Sequence, residues 1–490
     1  MRAVENYLAI DLGAESGRLI LGRLDGERLG LEEIHRFPNG PVRIHGHLHW
    51  DVLHLWSEIL HGVRLAVHTP GDLASLGVDT WGVDFGLLDA TGSLIGNPFH
   101  YRDNRTDGML EAAFARLPRQ EIYRQTGIQF IQINSLYQLY AMRLAKSQAL
   151  ECADAFLTMS DLFNFWLTGR KASEFTIATT SQCYNPTAAD WAWDVLAALD
   201  IPAHLFQPII QPASILAGLR PEVIQETGAG ELPVVAVGCH DTASAVAAVP
   251  AESGRIVFIS SGTWSLVGSE TPQPVISEQS LSFNFTNEGG IGGSFRFLKN
   301  ISGLWLVQEC RRAWASAGQE YSYSELTRKA AEAPAFRSLV DPNSAVFLSP
   351  GGMPGRLQRY CLEHGQPAPQ SVGEFVRCAL ESLALAYRKV IGQLEQTLGY
   401  SLEAVHIVGG GSQNRLLNQF TADATGKPVI AGPVEATAIG NLLVQAMAMG
   451  RLSSLAEARQ LVRRSFPLEV FEPDRQDAWA EAYERWQKLG

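Results

Sequence analysis

Two stretches about 240 residues apart share one design. Residues 7–26, YLAIDLGAESGRLILGRLDG, and residues 254–270, GRIVFISSGTWSLVGSE, each set an apolar run, a short turn of glycine and small polar residues, and a second apolar run. Apolar runs on either side of such a turn predict a pair of strands. Finding the unit twice predicts two related halves, each a sheet flanked by helices, so the fold class is α/β. At 490 residues the chain is too long for one ordinary core, which agrees with two domains. The expected boundary lies near 245–255, giving an N-terminal domain of 1–245 and a C-terminal domain of 246–490.

Other segments fill in the halves. SLGVDTWGVDFGLLDATG (75–92) reads as a further strand pair, and QINSLYQLYAMRLAKSQALE (132–151) and SDLFNFWLTG (160–169) carry helical patterns. Residues 205–233 are rich in Pro and Gly. Ser371 and Glu374 stand at capping-box spacing before a long apolar-striped helix. That helix leads to the strand AVHIVGGG (404–411) and a second helix. The last segment, DRQDAWAEAYERWQKLG, predicts an amphipathic helix.

Composition excludes several classes. The formal charge is −12, from 39 Lys and Arg against 51 Asp and Glu, which argues against a nucleic-acid or anionic membrane surface. No run of 18 apolar residues occurs and no secretory core follows the N-terminus, so a cytoplasmic protein is expected. The six cysteines form no CxxC and are expected as reduced thiols. Neither a Walker A loop nor a G-x-G-x-x-G helix opening is present; in ATGKPV, Pro428 stands where Ser or Thr must follow Lys.

What the chain has instead are three glycine turns beyond strand ends: DLGAESGR (11–18), SSGTWS (260–265) and VGGGSQN (408–414). Glycine lets backbone N–H groups turn inward and approach a phosphate. Each turn alone is also an ordinary structural turn. Asp11 is either a strand terminator or a hard-oxygen partner for Mg²⁺, reached through water. In VAVGCHDTASAV (235–246) a buried strand passes into a helix at His240 and Asp241. Asp241 is either the helix N-cap or a base for a substrate hydroxyl, and the two readings are compatible. In DTWGVDFG (79–86), period-two alternation sets Asp79 and Trp81 on one face and Asp84 on the other. An aromatic face with a carboxylate suits a sugar, while a core tryptophan beside two acids is the alternative. The histidines of RIHGHLHWDVLH lack a completing carboxylate or thiolate and read as a hairpin, not a metal site.

IDLGAESGR, SSGTWSLVG and HIVGGGSQN resemble the two phosphate motifs and the adenosine motif of the sugar-kinase, hsp70 and actin superfamily. DTWGVDF, GCHDTASAV, SSGTWSLVG and KNISGLWLVQE together resemble the FGGY carbohydrate kinases, and within them the members that act on L-rhamnulose. The likeness runs from Ala9 to about Gly450. It implies two RNase-H-like, actin-like ATPase domains closing over a catalytic cleft. It also implies ATP, Mg²⁺ and transfer of the γ-phosphoryl group to the sugar 1-hydroxyl. Carried onto this chain, Asp241 is the proton acceptor. Gly82, His240, Thr242 and Asn300 contact the sugar, joined by Trp81 and Asp84 from the reading above. Ala14, Glu15, Ser16, Gly17, Arg18, Thr263, Gln308 and Gly410 hold ATP, and Asp11 serves Mg²⁺. Glu15 departs from the small polar residue usual there, so its side chain is expected to point away from the phosphates. The letters FGGY do not occur in order.

The partner expected is a small-molecule sugar, with the chain a monomer or homodimer. Alternatives are a kinase for L-fuculose, xylulose or glycerol, or an ATP-driven binding protein of the hsp70 kind. The latter would need a peptide-binding module, which is not expected in a chain ending at 490. A dinucleotide oxidoreductase is disfavoured by the absent fingerprint.

Overall fold

The computed structural model describes residues 4–252 and 254–489. They form two compact units. The first takes the chain up to Glu252, Glu270–Phe297 and Ala436–Ser465; the second takes the chain from there to Ser269, Leu298–Glu435 and the chain from Phe466. The compact units therefore do not follow a single division at 245/246, because the chain returns twice to the first unit. Helix Ala436–Ala448 explains one return. It is polar at Asn441 and Gln445, one turn apart, and these side chains donate to strand carbonyls of the first unit, Asn441 to Gly77 at 3.1 Å and Gln445 to Leu8 at 3.0 Å.

The first unit is built on a six-stranded sheet in the order Ser214–Gly218, Pro233–Ala236, Leu73–Thr80, Glu5–Leu12, Ser16–Leu24, Leu29–Pro38. The predicted hairpin pairs antiparallel, Leu8 opposite Leu21 and Asp11 opposite Arg18. Glu5–Leu12 and Leu73–Thr80 run parallel. Both are almost wholly buried, as strands covered on two faces are. The resemblance implies five strands. The sixth, Ser214–Gly218, comes from the Pro- and Gly-rich stretch and pairs antiparallel with Pro233–Ala236. Helix Val52–Val67, capped by Asp51 accepting from His54 N, buries Val52, Leu55, Ile59 and Val63 in the same core as Leu8, Ile10 and Val78. Each such side chain contributes roughly 1.5–3 kcal/mol.

One predicted pair is not a hairpin. Leu73–Thr80 stays in the main sheet, whereas Phe85–Leu88 pairs with Ala155–Thr158 in a separate two-stranded sheet. Between them the chain turns at Val83, whose φ is 68°. The histidine segment does form a hairpin, Pro41–Ile44 with His47–Trp50.

In the second unit the strands Trp264–Thr271, Ile256–Ser261, Ala404–Val408, Val429–Ala431 and Glu469–Phe471 are neighbours in that order. The second predicted hairpin forms, with Ser260 opposite Leu266 and Ser261 opposite Ser265. Ile256–Ser261 and Ala404–Val408 run parallel. Helix Val372–Leu398 follows Ser371, whose hydroxyl accepts from Glu374 N at 3.3 Å. The expected capping box is only half made, since the Glu374 carboxylate accepts from Gln370 N at 2.7 Å. The cysteines are free. Among the described residues no helix is long and apolar enough to cross a membrane.

Candidate active site

In the first unit the carboxyl ends of neighbouring strands bring the acidic residues together. Asp11 and Asp79 are directly opposite in the parallel pair Glu5–Leu12 and Leu73–Thr80. Thr80 in turn bridges to His240, with Thr80 N donating to Cys239 O at 2.9 Å. Open α/β sheets bind ligands beyond such strand ends. Asp11 is buried and its Oδ2 accepts from Arg18 Nε at 3.0 Å and Nη2 at 2.8 Å. The turn between them runs through Ala14, Glu15, Ser16 and Gly17, closed by Gly13 N donating to Ser16 O at 3.0 Å. Glu15 is exposed at its tip. Gly17 has no room for a side chain, because a Cβ would overlap the Phe37 ring.

His240 ends the approach to helix Asp241–Ala247. The N-cap is His240, with Ala243 N donating to its carbonyl at 2.7 Å, so Asp241 is not spent as the cap. The Asp241 side chain is 30% accessible, and its Oδ1 meets Thr242 Oγ1 at 3.0 Å and His240 Nε2 at 3.3 Å. Burial pushes the Asp241 carboxyl above the usual range; His240 opposes the shift and Asp11 adds to it. The backbone of this segment is fixed by Glu174. Its Oε2 accepts from Thr176 Oγ1 at 2.6 Å, Ile177 N at 3.2 Å and Cys239 N at 3.2 Å, while Thr176 Oγ1 accepts from His240 N at 3.2 Å. Burial raises Glu174 to about 7, and those hydrogen bonds limit the rise. On the far side of His240, Nδ1 lies 3.3 Å from Glu288 Oε2 and 3.1 Å from Arg296 Nη2.

The expected sugar kit of Trp81 and Asp84 is not presented as such. Asp84 is fully buried, with Oδ2 accepting from Trp50 Nε1 at 2.6 Å, Trp81 Nε1 at 3.0 Å and Tyr101 N at 3.1 Å, and Oδ1 from Gln138 Nε2 at 2.9 Å. The Trp81 ring packs on Trp50, centroids 4.1 Å apart. Burial lifts Asp84 to about 6, with the Gln138, Trp50 and Trp81 donors opposing the rise. This carboxylate is a knot that ties the 81–84 turn, and Trp81 is part of the knot. The strand ends at Thr80, so the two-residue alternation that set Trp81 and Asp84 on opposite faces does not extend this far. Gly82 is only half-buried and leaves no easy room for a side chain, a Cβ falling 3.0 Å from Thr180 Oγ1.

In the second unit Thr263 lies in the turn closed by Gly262 N donating to Trp264 O at 2.9 Å. Gly303 and Leu304 clasp this turn, Gly303 N donating to Thr263 O at 3.1 Å and Leu304 N to Gly262 O at 3.0 Å. Just beyond, helix Trp305–Ser316 carries Gln308, whose Oε1 is buried without a hydrogen-bond partner among the described residues. Gly410 opens the turn after Ala404–Val408, and a Cβ there would meet nothing within 4 Å. Asn300 is half-buried near the end of Phe295–Ser302. Its neighbour Lys299 is drawn down to about 8 by burial, with Lys389 adding to the shift.

Residues 6–248 match the N-terminal domain, and residues 257–449 the C-terminal domain, of the FGGY family of carbohydrate kinases. The chain belongs to this family. It is similar to the rhamnulokinase of Bacteroides thetaiotaomicron, 46% identical with 98% of each chain covered, and to that of Bacillus subtilis, 38% identical with 95% of each covered. Among solved structures it is similar to a ligand-bound xylulose kinase from Lactobacillus acidophilus, with a TM-score of 0.80, 16% identity and 99% and 96% of the two chains covered. A Plasmodium falciparum glycerol kinase with ADP gives a TM-score of 0.80 at 15% identity, with 99% and 97% covered. The two-domain α/β fold is thus that of the FGGY kinases, and the protein is an ATP-dependent sugar kinase.

For an FGGY kinase the acidic strand ends have to be tested against Mg²⁺. Among the described residues no three His, Cys, Asp or Glu side chains gather as a closed metal cage. Mg²⁺ does not require one, since it keeps waters and takes one or two carboxylates plus substrate phosphates. Asp79 Oδ1 is buried without a hydrogen-bond partner among the described residues, while its Oδ2 accepts from Asn441 Nδ2 at 2.6 Å. Burial drives Asp79 well above the carboxylate range, Asp11 adding and Asn441 opposing. Oxygen donors of this kind fit a hydrated hard cation. Motif reading missed Glu174, Glu288, Arg296 and Asn441, none of which belongs to a spacing pattern. The one cue was the pair of acid and base flanking the glycines of NEGGIGGSFR.

Proposed function

We propose that this FGGY kinase transfers the γ-phosphoryl group of ATP to the 1-hydroxyl of L-rhamnulose, giving L-rhamnulose 1-phosphate and ADP. The observation that carries the reading is the 46% identity to a rhamnulokinase over 98% of both chains. The phosphoryl group passes through a loose transition state, so positioning and charge neutralisation dominate. Asp241 accepts the proton of the sugar hydroxyl, its raised affinity for protons suiting a base at neutral pH. Gly82, His240, Thr242 and Asn300 orient the sugar. Backbone N–H groups from Ala14 to Arg18, with Thr263, Gln308 and Gly410, hold the nucleotide. Asp11 would hold Mg²⁺, which when bound would neutralise phosphate charge. Such a kinase works in the cytoplasm on a small sugar.

ADP release is measured with L-rhamnulose, L-fuculose, D-xylulose and glycerol. L-Rhamnulose is expected to give the highest kcat/KM, and a higher value for any other sugar overturns the assignment. Asp241→Asn is expected to lower kcat by at least about 10²-fold while ATP still raises the melting temperature. A kcat near that of the parent enzyme removes Asp241 from its role.

A further inference from the structure

We propose that Arg296 fixes the tautomer of His240 and so keeps Asp241 aligned as a proton acceptor, which makes Arg296 a positioning residue of the phosphoryl transfer. The inference rests on the reading of Asp241 as the base. Arg296 is fully buried on strand Phe295–Ser302, an expensive place for a guanidinium. Its Nε donates to Gly289 O at 2.7 Å, and its Nη2 sits 3.3 Å from Glu288 Oε2 and 3.1 Å from His240 Nδ1. Glu288 and Arg296 therefore converge on one ring nitrogen.

A guanidinium has five donors and no acceptor. Facing Arg296, His240 Nδ1 has to present its lone pair, and the ring proton then resides on Nε2. Nε2 lies 3.3 Å from Asp241 Oδ1, within ion-pair distance, so a proton on Nε2 is the one that faces the carboxylate. That donor pins one oxygen of Asp241 and turns the carboxylate toward the hydroxyl it deprotonates. Glu288 competes for the same site from the other direction, because a carboxylate 3.3 Å from Nδ1 favours a proton there. Without Arg296 the proton moves to Nδ1, and the Nε2 lone pair faces Asp241 Oδ1. Two lone pairs then repel, and the carboxylate swings out of register. Arg296 decides between the tautomers, and nothing in the local sequence around His240 does.

The test uses the full-length protein labelled with ¹⁵N-histidine. Long-range ¹H–¹⁵N spectra identify the protonated ring nitrogen, and the His240 signals are those lost in His240→Gln. The parent is expected to show Nε2–H, and Arg296→Met to show Nδ1–H with kcat lowered at least about tenfold and KM for ATP unchanged, as a wrong tautomer does elsewhere. Arg296→Lys, which restores a donor, is expected to return Nε2–H and most of kcat. Glu288→Gln breaks the same ion pair but leaves the donor, and is expected to keep Nε2–H. An Nδ1–H tautomer in the parent overturns the proposal even if Arg296→Met does not fold. So do equal losses of kcat in Arg296→Met and Glu288→Gln with the tautomer unchanged, which would mark a purely structural ion pair. If Asp241→Asn keeps full kcat, the reading of Asp241 fails instead, whichever nitrogen carries the proton.

Discussion

In the hairpin of Glu5–Leu12 and Ser16–Leu24 the turn closes when Gly13 N donates to Ser16 O at 3.0 Å; in that of Ile256–Ser261 and Trp264–Thr271, Gly262 N donates to Trp264 O at 2.9 Å. The two turns differ in length, the first closing from residue 13 to 16 and the second from 262 to 264, and in what surrounds them. Where the first sets Asp11 opposite Arg18, the second sets Ser260 opposite Leu266. The first is also tied from outside by a side chain, Asn39 Nδ2 donating to Gly13 O at 2.8 Å, whereas the second is clasped by backbone N–H groups, those of Gly303 and Leu304. One glycine turn is thus charged, the other neutral and closely packed against backbone. A charged turn suits a cation that must come and go with each nucleotide, and a closely packed neutral turn suits a phosphate held by N–H groups.

The closely packed turn is the place to look for the largest effect. A Cβ at Gly303 would lie 2.6 Å from Trp264 C and 2.7 Å from Gly262 O, and backbone atoms cannot rotate out of the way. Gly303→Ala is expected to cost about 3 kcal/mol in guanidinium unfolding and to abolish stabilisation by ATP. A variant that keeps both would show that the clasp is loose. In the charged turn, Asp11→Asn preserves shape and an acceptor for Arg18 but removes the negative charge. It is expected to lower kcat/KM on the order of 10²-fold and to raise the Mg²⁺ concentration giving half-maximal rate. A change under about threefold would erase the distinction between the turns.

Both turns were legible because turn chemistry is local: glycine and hydroxyl residues between apolar runs announce themselves wherever they fall. His240 and Asp241 were legible for the same reason, at a strand-to-helix junction. Asp84 was left open between a sugar contact and a core acid, because alternation stops at Thr80, beyond which Val83 adopts a φ of 68° that a β-branched residue rarely takes. Its donors come from residues 50, 81, 101 and 138, which no window joins. The same holds for Glu174 and Arg296, which act on Cys239 and His240 across 65 and 56 residues of chain. The return of helix Ala436–Ala448 to the first unit was hidden too, since Asn441 and Gln445 look like surface polar residues until their carbonyl partners are known.

The smallest effect falls on the tie that the two turns do not share. Asn39 N also donates to Glu15 O at 3.0 Å, and that backbone bond survives removal of the side chain. Asn39→Ala deletes only the Nδ2 donation to Gly13 O, leaving a half-buried carbonyl that water can reach. The expected cost is about 1 kcal/mol of stability, with KM for ATP rising roughly fivefold and kcat nearly unchanged, because the ground-state cradle loosens while Asp11 and Arg18 stay paired. A fall in kcat without a change in KM would instead mean that Asn39 helps place the Asp11 carboxylate during transfer.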